Sequence, residues 1–228
     1  GLLPLLKESK KPTWQAEIDR FRAEETAYTD NRDGMTPRRV ILTLNKHLGA
    51  NTAVCTDVGQ HQMWAAQNLF FKTPRRFVSS GGLGTMGFGL GAAIGAAYGT
   101  KERSVLVTGD GSFGMSLNEL ATAVSYHVPV VILLMNNGVL GMVRQWQTLF
   151  FGHRYSQTTL DRGPDFMKLA AAYGLSGARV NTVEAFAAAF KAAVEKREPC
   201  IIECMLDIDE MVAPMVAPGS PIDSFCLN

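Results

Sequence analysis

Six short runs of β-forming residues recur along this chain, and the gaps between them are long enough to hold helices. The runs are residues 53–56, 76–79, 104–108, 130–136, 178–180 and 200–206. Because residues 105–107 and 130–135 are apolar without alternation, these strands should be buried on both faces. The sequence therefore predicts an α/β fold, with a doubly wound, mostly parallel six-stranded sheet and helices on both faces.

Capping residues predict where two of the helices begin. Thr36 followed by Pro37 is typical of a helix start, since proline fits the first helical position. The run Ser116-Leu117-Asn118-Glu119 matches a capping box and predicts a helix start after the third strand.

Charge is concentrated in the first 35 residues. Residues 1–35 hold 13 of the 43 charged side chains, against 30 in the remaining 193 residues. Such a segment is typical of a surface connector, and residues 36–228 are left for one folded domain. A chain of 228 residues that is 46% hydrophobic is long enough to bury one such core.

Overall composition excludes several classes of partner. The net charge of +1 argues against a nucleic-acid-binding surface or a polybasic membrane anchor. Residues 77–100 carry no charge and are long enough to span a membrane, but they include eight glycines, so we expect no span. Four cysteines in a chain of this length form neither a disulfide framework nor a metal motif, which fits a cytoplasmic protein.

Glycine, amide, hydroxyl and carboxylate groups follow four successive predicted strands. They lie in residues 57–62, 79–87, 109–113 and 136–142. Because ligands of open α/β sheets bind beyond the carboxyl ends of the strands, we expect these segments to form one site.

Two of these strand ends suggest a metal ion. Asp110 offers a carboxylate between two glycines, and Asn137 offers an amide oxygen 27 residues later. One carboxylate and one amide suit Mg²⁺, which takes its other ligands from phosphate and water. Ser112 and the start of the following helix could then bind the phosphate. The alternative is that both segments are ordinary turns.

A dinucleotide site is a rival interpretation. Gly82, Gly84 and Gly87 match the glycine fingerprint of such sites, between a strand and a helix. The acidic residue at the required distance is Glu102, but it precedes the third strand instead of following it. We therefore favour the metal and diphosphate interpretation.

The motifs are similar to those of a known family. Gly109-Asp110-Gly111-Ser112 with Asn136-Asn137 resembles the diphosphate and Mg²⁺ motif of thiamine-diphosphate enzymes. Residues 59–67, 80–90, 140–146 and 214–216 are similar to the C-terminal domain of acetohydroxyacid (acetolactate) synthase catalytic subunits. The resemblance covers nearly the whole chain and implies the thiamine-diphosphate-binding fold.

The resemblance also implies residue roles. Asp110, Asn137 and the carbonyl of Val139 would bind Mg²⁺, while Gln60 and His61 would contact the diphosphate. Met86, Gly84 and Gln60 are the implied catalytic residues: Met86 would support the bend between the cofactor rings, and the Gly84 carbonyl would bind the aminopyrimidine. The other implied cofactor-binding residues are Gly59, Thr85, Gly109, Gly111, Ser112, Gly138, Leu140, Gly141 and Met142. Trp146 would lie over the second-substrate pocket.

By the same resemblance, the whole enzyme would be a transferase or lyase of branched-chain amino acid biosynthesis. It would decarboxylate pyruvate and condense the hydroxyethyl carbanion with a second 2-oxoacid. An N-terminal pyrimidine-binding domain would supply an activating glutamate across a homodimer or tetramer interface, and FAD would bind only in a middle domain. Residues 1–35 would be the connector from that preceding domain, which this sequence lacks, so we expect the isolated chain to be inactive.

Two other functions stay open. The first is another thiamine-diphosphate-dependent 2-oxoacid decarboxylase or carboligase. The second is a non-catalytic dimerisation module, with an interface on the glycines that repeat every four residues from Gly87 to Gly99.

Overall fold

The computed structural model describes residues 3–5, 10–26, 32–161 and 163–226. The chain divides into two compact units, Gly1–Asp33 and Gly34–Asn228. Helix α1 (Pro12–Thr26) belongs to the first unit. Residues 1–2, 6–9 and 27–31 of the predicted connector lie outside the described residues, and its link to a preceding domain stays a prediction.

The second unit contains a six-stranded sheet in which every pairing is parallel, and this confirms the predicted α/β fold. The strands are β1 (Ala53–Thr56), β2 (Phe77–Val78), β3 (Ser104–Gly109), β4 (Val130–Asn136), β5 (Ser176–Val180) and β6 (Cys200–Met205). Their order is β2-β1-β3-β4-β6-β5. The chain passes from β1 to β2 on one side and then to β3 on the other. The carboxyl ends of β1 and β3 therefore flank a topological switch point, where such sheets bind ligands.

Two strands differ by two residues in length from the prediction, and β3 and β6 differ by one residue at their ends. The second has only two paired residues instead of four, because it is an edge strand that pairs with β1 alone. The fifth begins two residues earlier, where Ser176 and Gly177 pair with β6. Ser176 has a polar side chain and Gly177 has none, so neither residue extends the apolar run from which the strand was predicted.

Among the described residues of the second unit, eight helices connect or flank the strands. They are α2 (Pro37–His47), α3 (Gln60–Asn68), α4 (Phe88–Thr100), α5 (Asp110–Phe113), α6 (Leu120–Ser125), α7 (Gly141–Phe150), α8 (Phe166–Ala172) and α9 (Val183–Glu195). Helix α2 begins as predicted, since the Thr36 side chain accepts a hydrogen bond from the backbone N–H of Arg39. Thr182 caps α9 and Asp165 caps α8 in the same way.

A helical turn begins after Ser116 as predicted, but the predicted capping hydrogen bond is absent. The chain turns into α5 directly after β3, and a 3₁₀ turn at Leu117–Glu119 precedes α6. The Ser116 side chain forms no capping hydrogen bond. Packing explains the difference, because Phe113 is fully buried against Phe166, with ring centroids 5.8 Å apart, and fixes the chain upstream of Ser116.

Helices cover both faces of the sheet, as predicted. Side chains of α2, α3 and α9 form one hydrophobic cluster with alternate residues of the central strands. Side chains of α4, α5, α6 and α8 form a second cluster on the opposite face. Each large apolar side chain buried there contributes about 1.5–3 kcal/mol, so the two clusters fix the strands that present the site.

A short antiparallel pair, β7 (Met215–Val216) and β8 (Phe225–Cys226), follows the sheet. Within the described ranges, no helix is both long enough and apolar enough to cross a membrane.

Candidate functional site

A cavity of about 110 Å³ lies at the carboxyl ends of β1, β3 and β4. Three of the predicted strand-end segments and Met86, from the fourth, meet at this cavity. The predicted site residues that line it are Gly59, Gln60, His61, Met86, Gly109, Asp110, Gly111, Ser112, Asn137, Val139, Leu140, Gly141 and Met142. The lining also includes Val58, Trp64, Met135 and Val143, which the sequence interpretation did not select.

Four predicted site residues lie outside this lining. Gly84 and Thr85 belong to the loop after β2, where the Thr85 backbone N–H donates to the Ser80 hydroxyl at 3.1 Å. Gly138 occupies the turn after β4, with a left-handed φ of +70°. Trp146 lies in α7 and is 40% exposed. The structure therefore gathers the predicted metal and diphosphate residues but not these four.

His61 lies in the first turn of α3 and is buried against two glycines. Burial lowers the pKa of His61 to about 3, and a backbone hydrogen bond with Asp57 opposes the shift. The imidazole is therefore neutral at physiological pH. Its Nε2 atom is buried and has no hydrogen-bond partner. An unpartnered ring nitrogen at a cavity wall is available to a ligand.

Asp110 is the first residue of α5 and is 8% exposed. Burial raises the pKa of Asp110 to about 6, while backbone N–H groups, including those of Gly111 and Gly138, favour the ionised form. The charge of Glu203 raises the pKa further. A buried carboxylate with a raised pKa is short of positive charge, and a bound cation would supply it.

An amide network fixes Asn137 beside Asp110. Gln60 Nε2 donates to Gln145 Oε1 at 2.9 Å and to the Glu210 carbonyl at 2.7 Å. Gln60 Oε1 accepts from Asn137 Nδ2 at 3.2 Å. Both amide donors of Gln60 are thus used within the protein, so the Gln60 side chain holds Asn137 in position.

Gln145 is a site residue that the sequence interpretation missed. It is buried in α7, its Nε2 donates to the Val212 carbonyl at 2.9 Å, and its Oε1 accepts from the Val212 N–H at 2.8 Å. These bonds connect the segment after β6 to Gln145, which bonds to Gln60 in the cavity lining. A single glutamine in a helix gives no sequence signal for such a role.

Three glycines make room for these side chains. A Cβ atom on Gly141 would overlap the Gln60 amide, and one on Gly111 would lie 2.6 Å from Leu140 Cδ2. A Cβ atom on Gly109 would lie 2.9 Å from His61 Nδ1. Backbone without side chains therefore forms part of the cavity wall.

The donor set is poor in carboxylates. Among the described residues, no three His, Cys, Asp or Glu side chains form a group that could hold a metal ion. The predicted ligands are one carboxylate, one amide oxygen and one carbonyl. Of these three ligands, only Asp110 is a His, Cys, Asp or Glu side chain. Such a set suits a hard cation that takes further oxygens from phosphate and water.

Comparison with known proteins gives the family. The family described as "Thiamine pyrophosphate enzyme, C-terminal TPP binding domain" matches residues 57–204, which include the whole cavity lining. The mitochondrial acetolactate synthase catalytic subunit of Saccharomyces cerevisiae is 45% identical over 223 residues, 95% of this chain and 32% of that protein. The acetolactate synthase isozyme 2 large subunit of Escherichia coli is 40% identical over 96% of this chain and 41% of that protein. The predicted resemblance to acetolactate synthases is confirmed.

A solved structure agrees in fold. The thiamine diphosphate-dependent 4-hydroxybenzoylformate decarboxylase of Rhodococcus jostii RHA1 matches 80% of this chain and 34% of its own, with a TM-score of 0.72 and 26% identity. The chain spans about a third to two fifths of the curated relatives named above. With more than half of its residues matched by the family, the chain belongs to the C-terminal, thiamine-pyrophosphate-binding domains of thiamine pyrophosphate enzymes.

Proposed function

We propose that this chain binds thiamine diphosphate together with Mg²⁺ in an acetolactate synthase-like enzyme. The whole enzyme decarboxylates pyruvate and joins the remaining two-carbon unit to a second 2-oxoacid. The observation that carries the proposal is the meeting of Asp110, Asn137 and the unpartnered His61 Nε2 at one cavity. The acetolactate synthase relatives at 40–45% identity support the reaction.

The residues present fit a magnesium ion. Asp110 and Asn137 supply oxygen ligands, and the Val139 carbonyl completes the protein's share. Val139 is buried, and its N–H donates to Asn137 Oδ1 across a long 3.4 Å contact, which leaves that oxygen lightly used. A bound cation would offset the desolvation that raises the pKa of Asp110.

The residues beside the metal site fit a diphosphate. The unpartnered Nε2 of His61 can donate to a phosphate oxygen in the tautomer that carries the single proton of the neutral ring on Nε2 and not on the nitrogen bonded to the Asp57 backbone. Gly109 and Gly111 let phosphate oxygens approach the backbone N–H groups at the start of α5. The Ser112 hydroxyl is buried within 3.3 Å of Thr108 Oγ1, so the end of β3 holds it in place.

The rest of the cavity is apolar. Met86, Leu140 and Met142 exclude water from the space next to the metal residues. Thiamine diphosphate, when bound, supplies the carbon centre that accepts negative charge as CO₂ leaves. In this proposal Met86 supports the bent cofactor, Gly84 binds the aminopyrimidine through its carbonyl, and Trp146 borders the second 2-oxoacid.

Other parts of the enzyme complete the site in this proposal. The cavity of about 110 Å³ is smaller than the roughly 300–1,000 Å³ of typical small-molecule sites, so further protein should enclose the cofactor. A pyrimidine-binding domain would supply the activating glutamate within a homodimer or tetramer, and a middle domain would hold FAD. A cytoplasmic location fits Cys55, Cys200 and Cys204, which are free and buried.

Calorimetric titration with thiamine diphosphate and Mg²⁺ tests the site. We expect the wild-type chain to bind both together and Asp110→Ala to lose at least tenfold in affinity, the lower end of the roughly 10–100-fold losses seen for residues that support a metal site. Glu184→Ala, which removes an exposed carboxylate from α9, is the matched control and should bind like wild type. Absence of wild-type binding, or equal binding by Asp110→Ala, would refute the proposed site.

A second function is supported by the fold match to a 2-oxoacid decarboxylase. A chimera separates the two reactions, with this chain replacing the corresponding region of the Saccharomyces cerevisiae catalytic subunit. Production of acetolactate from pyruvate supports the synthase, whereas release of CO₂ and free aldehyde without acetolactate supports the decarboxylase.

A further inference from the structure

Glu203 is a buried carboxylate on β6, the strand next to the edge strand β5. It is 1% exposed and is in register with Leu134 of β4 and Arg179 of β5. A carboxylate in such a position is costly unless both oxygens are hydrogen-bonded. Both are: Oε1 accepts from Asn136 Nδ2 at 2.7 Å, and Oε2 accepts from Arg179 Nε at 2.7 Å.

Asn136 links Glu203 to the loop at the carboxyl end of β4. Its Nδ2 faces Glu203, and its Oδ1 accepts a hydrogen bond from the backbone N–H of Gly138 at 3.1 Å. Because a carboxylate accepts only and an N–H donates only, the amide of Asn136 has one allowed orientation. The Gly138 N–H also interacts with the carboxylate of Asp110.

The turn at residues 136–139 is thus hydrogen-bonded to the buried Glu203 through Asn136. It contains Asn137 and Val139, two of the three proposed metal ligands, and its Gly138 N–H faces the third. From the outer side, the Gly138 carbonyl accepts from the Leu160 N–H at 2.8 Å. Without the Asn136 contact, the Gly138 peptide would lose the bond that links it, through Asn136, to the buried Glu203.

We propose that Glu203, acting through Asn136, positions the 136–139 turn for a divalent cation. The inference rests on the proposed Mg²⁺ site and gives Glu203 and Asn136 the role of positioning residues, because neither lines the cavity. The competing explanation is that Glu203 only pairs with Arg179 and stabilises the contact between β5 and β6. In that case its loss would lower stability without changing metal affinity.

Mn²⁺ titration followed by electron paramagnetic resonance, with thiamine diphosphate present, separates these explanations. Glu203→Gln keeps the shape but replaces one of the two acceptor oxygens by an NH2 donor, so either Asn136 or Arg179 loses its acceptor. Asn136→Ala removes the link itself. We expect each variant to lose about tenfold or more in Mn²⁺ affinity. The Mn²⁺ affinity of the double variant should be little lower than that of the single variant that binds Mn²⁺ less tightly. Both substitutions break the same contact, so their effects should not add.

Asp165→Asn is the matched control. Asp165 accepts from the other end of Arg179 at 3.2 Å, so this change alters the ion-pair group but not the Asn136 contact. Its Mn²⁺ affinity should stay within about twofold of wild type. Hydrogen exchange at the Gly138 amide of the metal-free chain gives a second readout, and it should be faster in Asn136→Ala and Glu203→Gln.

The inference is overturned if both single variants bind Mn²⁺ within about twofold of wild type, or if their losses multiply in the double variant. Should Glu203→Gln fail to fold, Asn136→Ala and the Gly138 exchange rate decide the question. Lack of Mn²⁺ binding by the wild-type chain would overturn the proposed function and this inference with it, so the wild-type titration distinguishes the two failures.

Discussion

The carboxylate of Asp57 accepts a hydrogen bond from the backbone N–H of Gly87 at 2.8 Å and joins the end of β1 to the start of α4. The same oxygen, Oδ1, accepts from the N–H of Val58 at 2.9 Å. Burial raises the pKa of Asp57, and the backbone N–H groups oppose the shift. The loop that carries Met86 into the cavity is therefore anchored to the strand beside it.

This anchor predicts losses of stability of different size for two substitutions. Asp57→Ala leaves two backbone N–H groups without their acceptor, so we expect the free energy of unfolding to fall by about 1–3 kcal/mol. Asp57→Asn keeps an acceptor oxygen for these two groups but places an NH2 group at the buried Oδ2 position, which has no hydrogen-bond partner, so its free energy of unfolding should fall between those of wild type and Asp57→Ala. Urea unfolding measures both, and limited proteolysis within residues 79–87 reports the loop. Equal stability of Asp57→Ala and wild type would contradict the anchoring role.

The six parallel strands and both helical layers could be predicted because they depend on local patterns. Uninterrupted apolar runs in β3 and β4 indicate strands buried on both faces, and the sites of parallel sheets lie at strand ends. Asp110 and Asn137 could be selected for that reason. The connecting residues could not, because their partners are distant in sequence: Gln60 and Gln145 are 85 positions apart, and Asn136 and Glu203 are 67 apart.

The buried His61 predicts a pH-dependent stability. Its folded-state pKa is lowered to about 3, below the value of about 6.5 of an unfolded chain. The unfolded state therefore binds more protons between these values, so this contribution is present above pH 6.5 and is lost as the pH falls towards 3. Between pH 7 and 5, the free energy of unfolding should fall by about 2 kcal/mol through this histidine, because one pKa unit corresponds to about 1.36 kcal/mol.

Urea unfolding at several pH values tests this contribution. His61→Gln should flatten the fall in stability between pH 7 and 5. If His61→Gln and wild type lose stability in parallel, the histidine is not the source of the pH dependence.

Asp110 predicts the opposite pH trend in the metal-free chain. Because its folded-state pKa is raised to about 6, its contribution to stability is greatest below an unfolded value of about 3.9 and is lost as the pH rises through 6. The ionised form binds Mg²⁺, so metal affinity should rise with pH up to about 6 and then level off. Calorimetry with Mg²⁺ alone measures this, because the phosphate of the cofactor also gains protons near pH 6. Equal Mg²⁺ affinity at pH 5 and 7 would contradict it.

Gly141 and Gly95 form a matched pair for testing which glycines the site requires. An added Cβ on Gly141 would overlap the Gln60 side chain and lie 2.9 Å from Asn137 Nδ2, whereas one on Gly95 meets no atom within 4 Å. We expect Gly141→Ala to displace the amide network and to lower the affinity for thiamine diphosphate and Mg²⁺ about tenfold or more. Gly95→Ala should bind the cofactor and Mg²⁺ like wild type. Its free energy of unfolding should rise by about 0.5–1 kcal/mol, because alanine is more favourable than glycine in a helix interior. Calorimetry and urea unfolding measure the two effects, and wild-type cofactor affinity in Gly141→Ala would show that the network does not hold the site.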